Sequence, residues 1–374
     1  MKLLYLLNQR FPTEKAYGIQ VAEMCSAFAG QGTDVELLVP ARKSKISPEP
    51  FSYYGIPRSF RFTRVQSPDF YLSGIFDRLA FWIKNVVSAV RLARVARSRS
   101  ADILYAREEL PLICLAFGGR NRRMVLELHR FSPARRLLYR LLSRRGVRFV
   151  VLTHALREDI VAAGVPSTSV LVAPDGVDLE PFQNLPGKEE ARRIVHLSQD
   201  MPVILYAGHL YQWKGAEILA QAASQIDGIV VFVGGTEDDI ASMRSRYGAI
   251  SNLMFTGHRP HSEIPLWLRS ADVLVLPNIK GEAISERYTS PLKMFEYMAS
   301  GVPIVASDLP SIRDVLNERN AFLVSPDDAG ALADCIRGAL HSPQGDTIVQ
   351  QARADVAQYS WQRRVERIIS FVNT

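Results

Sequence analysis

Apolar residues along this chain fall into short runs separated by stretches of helical period. Lys2-Leu-Leu-Tyr-Leu-Leu7, Val147-Arg-Phe-Val-Val-Leu152 and Val203-Ile-Leu-Tyr-Ala207 are of strand length and nearly free of charge. That is the pattern of strands buried on both faces of a parallel sheet. In the first half the pattern predicts strands near 2–7, 34–39, 102–105, 124–128, 148–152 and 170–173, with a long helix over 76–98. The second half restarts the alternation with strands near 203–207, 229–233, 253–256, 273–276, 303–306 and 322–324. Trp361 to Phe371 reads as a final helix. Strand alternating with helix predicts α/β domains built on parallel sheets. The breaker-rich Pro181-Phe-Gln-Asn-Leu-Pro-Gly187 reads as a domain linker, and Arg42 to Pro57 as a long polar loop.

Ser290-Pro-Leu-Lys-Met-Phe-Glu296-Tyr-Met-Ala-Ser-Gly301-Val-Pro303 delimits a short helix at both ends. Ser290 suits the N-cap, Pro291 the first helical position, and Gly301 with Pro303 the stop. The first amides of such a helix, through Leu292, together with Lys293 in the first turn, suit an anion. Lys293 opposes the helix dipole, and a bound phosphate would give it a reason to be there. Leu292, Phe295 and Ala299 share an apolar face with Glu296 at its margin, a position that suits a sugar hydroxyl. The plainer reading is a core helix whose Glu296 caps a neighbouring loop.

Val203 to Gly208 reads as a strand, His209 to Trp213 as a loop, and Lys214-Gly215 as the opening of a helix. Strand, glycine turn and a lysine at a helix start have the general shape of a phosphate site, although a solvated helix start would look the same. The spacing is not that of a Walker loop, and no GxGxxG occurs to support a dinucleotide site.

Taken in order, several segments resemble the nucleotide-sugar glycosyltransferases of family 4, group 1 type. They are Val170-Leu-Val-Ala-Pro-Asp-Gly-Val-Asp178, Tyr206-Ala-Gly-His-Leu-Tyr-Gln-Trp-Lys-Gly215, Val231-Phe-Val-Gly-Gly235, Phe255-Thr-Gly-His258, Ala271-Asp-Val-Leu-Val-Leu-Pro277 and Phe295-Glu-Tyr-Met-Ala-Ser-Gly-Val-Pro-Ile-Val-Ala306. The resemblance covers nearly the whole chain. It implies the GT-B architecture: two Rossmann-like α/β domains facing a central cleft, with residues 1–180 for the acceptor, 181–358 for the nucleotide sugar, and 359–374 as a helix crossing back to the first domain. It also implies transfer with retention of configuration, no metal and no cofactor, the nucleotide sugar being a substrate.

The same resemblance assigns roles. Lys214, His129 and Glu296 are the catalytic candidates. Gly18, His209, Gly234, Gly257, His258 and the 290–293 helix start surround the diphosphate and nucleotide. His129 would contact the donor sugar, although a hydrogen-bonded histidine at a strand end is the commoner reading of its position. Gly18 is equally readable as part of a glycine loop or as a residue needing positive φ. The pattern also departs from the family. Its first glutamate falls on Tyr288, with Glu286 two residues earlier as a possible substitute toward the donor sugar. The arginine that often accompanies the family's lysine is His209 here. Asp175 and Asp178 read as local caps, and the acidic pairs at 108–109 and 237–239 as solvated.

Composition narrows the picture. At 374 residues with 47% hydrophobic and 22% charged content, the chain matches a soluble two-domain protein. No apolar run approaches a membrane span. Cys25, Cys114 and Cys335 are widely spaced, as buried free thiols of a reducing cytoplasm would be, and the seven histidines form no ligand pattern. Residues 1–150 carry 26 Lys+Arg and 11 Asp+Glu, a net +15, whereas the rest of the chain is acidic. Within that basic half, Arg135 to Arg145 reads as an amphipathic helix, with Leu137, Leu138, Leu141 and Leu142 on one arc and Arg136, Arg140 and Arg144 opposite. Two readings stand for it: a solvated basic face, or a face docking an anionic membrane. No nucleic-acid motif accompanies it.

With that resemblance, the sequence leads to a cytoplasmic glycosyltransferase, peripheral on the membrane if the basic face docks there. It would move a sugar from a nucleotide diphosphate-sugar to a glycan or lipid-linked acceptor in bacterial cell-surface synthesis. The alternatives on the same frame are a nucleotide-sugar epimerase, a phosphorylase, or a non-catalytic nucleotide- or glycan-binding subunit.

Overall fold

The computed structural model describes residues 1–44, 46–70, 76–117 and 122–374. They form two compact units, one of Met1–Asp175 with Trp361–Thr374 and one of Gly176–Ser360. In the first, parallel strands β1 (Lys2–Leu6), β2 (Asp34–Pro40), β3 (Arg61–Val65), β4 (Ile103–Ala106), β5 (Arg123–Leu128), β6 (Val147–Val151) and β7 (Val170–Val172) make one sheet in the order 3-2-1-4-5-6-7. Its connecting helices are α1 (Ala16–Gly30), α2 (Pro50–Tyr54), α3 (Phe76–Ser98), α4 (Glu109–Ala116), α5 (Arg136–Arg144) and α6 (His154–Ala162). The C-terminal helix, Trp361–Asn373, packs against α1.

The second unit repeats the scheme with β8 (Val203–Ala207), β9 (Ile229–Val233), β10 (Leu253–Gly257), β11 (Val273–Leu276), β12 (Ile304–Ser307) and β13 (Phe322–Val324), all parallel in the order 10-9-8-11-12-13. Around them lie α7 (Lys188–Ile194), α8 (Ala216–Ala222), α9 (Glu237–Tyr247), α10 (Ile264–Arg269), α11 (Leu292–Ser300), α12 (Pro310–Arg313), α13 (Ala329–Leu340) and α14 (Gly345–Val356). Strand order reverses direction beside β1 and beside β8, and at such points open parallel sheets collect ligands at their C-terminal ends.

The strands form where uncharged runs can be covered on both faces. Val203, Ile204, Leu205 and Tyr206 are all fully buried, alternately in two core clusters on opposite sides of the sheet. Two elements lie outside the expected set. β3 is an edge strand whose Arg-Phe-Thr-Arg-Val mixes polar and apolar residues without a period, so it does not stand out as a buried run. The region read as a polar loop contains α2, started by Pro50 and ended by Gly55 in the left-handed region (φ 68°). Phe182, Leu179 and Leu185 pack on the core of the second unit, so the chain passes between units upstream of the breaker-rich stretch.

Helix α5 turns a different face inward from the leucine arc. Tyr139 and Leu142 are buried, with Tyr139 packed against Phe131 and Phe149, while Leu137 and Leu141 are exposed. Arg136 and Arg140 donate to the carbonyls of Ala162 and Ala163 at the end of α6, at 3.1 and 3.2 Å. Arg144 is exposed. The three cysteines are free thiols, Cys25 buried and the others half-buried. Among the described residues no helix is long and apolar enough to cross a membrane, and no group of three His, Cys, Asp or Glu residues is placed to hold a metal.

Candidate functional site

In the second unit the candidate residues gather where β8, β9 and β11 end. After β8 come Gly208, His209 to Tyr211, and a tight turn over Gln212–Lys214. Gly215 then holds φ at 71°, and a Cβ there would fall 1.7 Å from the Pro277 carbonyl oxygen beyond β11. Only glycine lets the chain close on that strand end and enter α8. This placement fixes Lys214 at the start of the helix. Its ammonium stands 5.2 Å from the Tyr211 ring centroid and 5.3 Å from that of Trp213. His209 stacks on Tyr211 with centroids 5.0 Å apart. Burial draws the Lys214 pKa down to about 8.

Lys293 is a second lysine, near enough that the charge of Lys214 acts on it. Helix α11 begins at Leu292, and Pro291, extended with ψ 125°, takes the capping place expected of Ser290. Thr289 is already extended (ψ 142°), so the segment that precedes α11 enters the helix one residue later than the sequence pattern implies. Met294 N bonds to Pro291 O at 2.9 Å, leaving the amides of Leu292 and Lys293 without partners inside the helix.

The Lys293 side chain runs inward and the residue is only 8% exposed. Its Nζ lies 3.5 Å over the centroid of Tyr206, and among the described residues it has no hydrogen-bond partner. Burial holds its pKa well below the usual lysine range, the charge of Lys214 adds to that effect, and Glu296 opposes it. Tyr206 is itself fixed, its hydroxyl donating to His209 O at 2.6 Å. A buried ammonium with a second cation nearby and no acceptor is an arrangement that an incoming anion would complete.

The remaining candidates in this unit divide. Gly208 is near enough that a Cβ there would stand 3.6 Å from Lys293 Nζ, and a Cβ on Gly234 would stand 2.6 Å from Gly208 O. Gly234 N in turn donates to Gly257 O at 2.9 Å, so these glycines line one backbone floor. His258, just beyond, is exposed. Glu296 Oε1 lies 2.7 Å from His261 Nε2, the ring N–H donating to the carboxylate. His261 belongs to the turn before α10, and no motif in the sequence marked it. Glu286 and Tyr288 lie in one π-helical turn over Ile284–Tyr288, the rare form that often occurs at functional sites. Glu286 Oε2 accepts from Gly281 N at 3.1 Å, while Tyr288 is buried.

The first unit has a polar centre of its own at the end of β5. Glu127 is completely buried and accepts from Gln20 Nε2 at 2.5 Å and from the Tyr105 hydroxyl. His129 Nε2 lies 2.7 Å from Glu127 Oε1, and Arg364 Nη2 lies 3.2 Å from that same oxygen. Arg364, from the C-terminal helix, also donates to Pro174 O at 2.8 Å and Ala173 O at 3.1 Å. Burial alone would raise the Glu127 pKa, but the charge of Arg364 and the bond from His129 overturn it and hold the carboxyl well below its usual range. For His129, burial and then the positive charge of Arg107 bring the pKa down to about 4. Neutral at pH 7, it keeps one ring nitrogen for a hydroxyl while Glu127 fixes the other.

The shift has a consequence for stability. With a folded pKa near 4 against 6.5, His129 contributes stability that is present above pH 6.5 and lost as pH falls toward 4. His129→Gln should therefore lose less stability than wild type across that interval, by on the order of 2–3 kcal/mol, in chemical denaturation repeated at several pH values.

Four expectations change in this unit. Gly18 lies within α1 at ordinary negative φ, and the room left by its missing side chain is taken by the Tyr54 hydroxyl, which a Cβ would meet at 2.1 Å. That hydroxyl accepts from Thr13 N and donates to Thr13 O, both at 2.8 Å, closing the loop before α1. Asp175 is no local cap. It is buried 4.0 Å from Arg364, and burial pushes its pKa up to about 7. Asp178 does cap locally, accepting from Glu180 N at 3.1 Å. Glu108 and Glu109 are bonded rather than solvated, Glu108 to Asn8 N and Gln9 and Glu109 to Arg135.

Comparison with known proteins brings two family models to the chain. Residues 18–181 match the model for Glycosyltransferase Family 4, and residues 201–342 match that for Glycosyl transferases group 1. A D-inositol 3-phosphate glycosyltransferase of Catenulispora acidiphila is 26% identical over 309 residues, covering 77% of this chain and 69% of that protein. A sulfoquinovosyl transferase of Arabidopsis thaliana is 26% identical over 62% of this chain, but the match spans only 45% of its own length. Two solved structures share the fold over the full chain at 18% identity. The sucrose-phosphate synthase of Thermosynechococcus elongatus has a TM-score of 0.79 with 98% of its chain covered. The Anabaena protein HepE, crystallised with UDP and glucose, has a TM-score of 0.76 with 99% covered.

Proposed function

We propose, for a chain that belongs to the glycosyltransferases of group 1 and family 4, that the second unit binds a nucleoside diphosphate-sugar and that the sugar passes to an acceptor hydroxyl with retention of configuration. The observation that carries this reading is the buried, acceptor-free ammonium of Lys293, whose charge Lys214 makes still harder to keep. A diphosphate would satisfy both lysines at once. HepE, a protein of like fold, is described with UDP and with UDP-glucose bound.

In this reading the reaction needs little covalent help from the protein. As the bond to the anomeric carbon breaks, negative charge grows on the departing diphosphate. Lys214, Lys293 and the amides of Leu292 and Lys293 stabilise that charge more strongly than they do the charge of the intact donor. Glu296, oriented by His261, accepts from the ribose hydroxyls, and Glu286 is the nearest carboxylate to replace the family's missing one. His129 offers a neutral, fixed ring to a substrate hydroxyl. The chemistry calls for no metal.

The acceptor is a glycan or a lipid-linked saccharide of the bacterial cell surface, and the basic first unit meets it at an anionic membrane, where each basic residue near the surface contributes about 1 kcal/mol. Incubation with UDP-glucose and related donors, followed by mass spectrometry for released diphosphate and glycosylated product, tests the activity. Donor consumed only when an acceptor extract is present supports it, and conversion to an epimer without acceptor contradicts it.

A titration property follows from the same lysines. Because burial lowers both pKa values, an arriving diphosphate raises them and draws protons onto the protein. Calorimetry with UDP at pH 8 in two buffers of different ionisation enthalpy should show net proton uptake, and affinity should fall as pH rises above 8, where free Lys214 loses its charge. Binding without proton exchange would remove the lysines from the diphosphate site.

A further inference from the structure

Helix α3 carries an apolar stripe that remains exposed among the described residues. Leu79, Trp82, Ile83, Val86 and Val90 recur at helical spacing and are all exposed, Trp82 by 54%, while Ala80, Lys84, Ser88 and Leu92 face inward on another side. From Leu79 to Val90 the stripe runs roughly 16 Å along the helix. Phe76 extends it at the N-terminal end, and Phe81 is exposed on the opposite side of the helix.

The stripe does not stand alone. α3 packs along α4, and Arg97 of α3 donates to Cys114 O of α4. Helix α4 is joined to the α5 region by the Arg135–Glu109 ion pair at 2.7 Å and by Arg145 lying 4.7 Å over the Phe117 ring. The three helices thus form one layer on the sheet, and Phe117, Leu137 and Leu141 add exposed apolar groups to it, Leu137 by 77%. Charge on this layer is nearly all of one sign. Arg78, Arg91, Arg94 and Arg97 are exposed on α3 against the single acid Asp77, and α5 contains arginines and no acid.

We propose that this layer docks on an anionic lipid bilayer, with the Leu79–Val90 stripe of α3 entering the interface and the arginines of α3 and α5 meeting lipid phosphates. An exposed tryptophan in an apolar stripe flanked by arginine suits the boundary between headgroups and acyl chains. A second copy of the chain fits the charge poorly, since a shared interface would bring two arginine-rich surfaces together. The inference rests on the membrane reading of the first unit given above, and it assigns the apolar anchor to α3, leaving the arginines of α5 a supporting part.

Vesicle co-sedimentation tests it, using phosphatidylcholine alone and phosphatidylcholine mixed with phosphatidylglycerol, on wild type and on the combined variant Trp82→Ala, Ile83→Ser, Val86→Ser. These side chains are exposed, so the fold should persist, and UDP affinity is measured alongside as a control located in the other unit. Wild type should partition onto the phosphatidylglycerol vesicles, less so at high salt, and the variant should lose on the order of tenfold in partitioning with UDP affinity unchanged. If wild type binds and the variant binds equally, the α3 anchor is wrong while the anionic membrane reading stands. If wild type ignores both vesicles, both are wrong. Concentration-dependent dimerisation that the variant abolishes, without vesicle binding, would make the stripe a self-interface and overturn the proposal.

Discussion

Lys293→Met should make the free protein more stable and slow its use of a donor by about 100-fold. Methionine keeps most of the volume of the lysine stem over Tyr206 while removing an ammonium that is buried without an acceptor and repelled by Lys214. Relief of that burden should raise stability by about 1–3 kcal/mol, read as a higher denaturation midpoint. The same change removes a charge-assisted contact to the leaving diphosphate, worth on the order of 3 kcal/mol in the barrier or ~100-fold in kcat. Lys214→Ala should lose a similar factor in rate with a smaller gain in stability, because Lys214 is less deeply buried than Lys293. A purely structural lysine would show the opposite pattern, with Lys293→Met losing stability and keeping activity.

Arg364→Met should be the most damaging single change to the first unit. It would strip Glu127 and Asp175 of their cation and leave the carbonyls of Ala173 and Pro174 without a donor, all in the interior. Breaking a buried pair by removing one partner costs about 3–5 kcal/mol, a large part of a domain's stability. Chemical denaturation should show this loss, and the double variant Arg364→Met with Glu127→Gln should recover part of it because it no longer strands a charge. Absence of recovery would mean that Arg364 acts through its carbonyl contacts alone. Since Glu127 also orients His129, the single variant should disturb that ring as well.

Much of this molecule was legible in its sequence, for a physical reason. A strand covered on both faces must be apolar throughout, so β1 and β8 announce themselves, whereas β3 at the edge needs only one covered side and stays hidden among arginines. The helix starts and glycine turn around Lys214, Gly215 and Lys293 were legible too, because such features leave local marks in the sequence. Residues that act through long-range contacts leave no such mark. Arg364 reaches Glu127 across 237 positions, and His261 reaches Glu296 across 35, with no periodicity to connect them. Tyr54, whose hydroxyl fills the space beside Gly18, is 41 residues from the loop it closes. The exposed face of α3 was missed for another reason: a helix pattern shows which residues are apolar, and only the packed structure shows which of them remain uncovered.

The central claim is that the second unit is built to hold a nucleoside diphosphate on Lys214 and Lys293. Calorimetric titration with UDP, GDP and ADP, followed by the monophosphate and the nucleoside of whichever binds best, tests it most directly. One diphosphate should bind with proton uptake, and removing its terminal phosphate should weaken binding by about tenfold or more. If none of the three binds, or if the nucleoside binds as tightly as its diphosphate, the lysines are not a diphosphate site and the account fails.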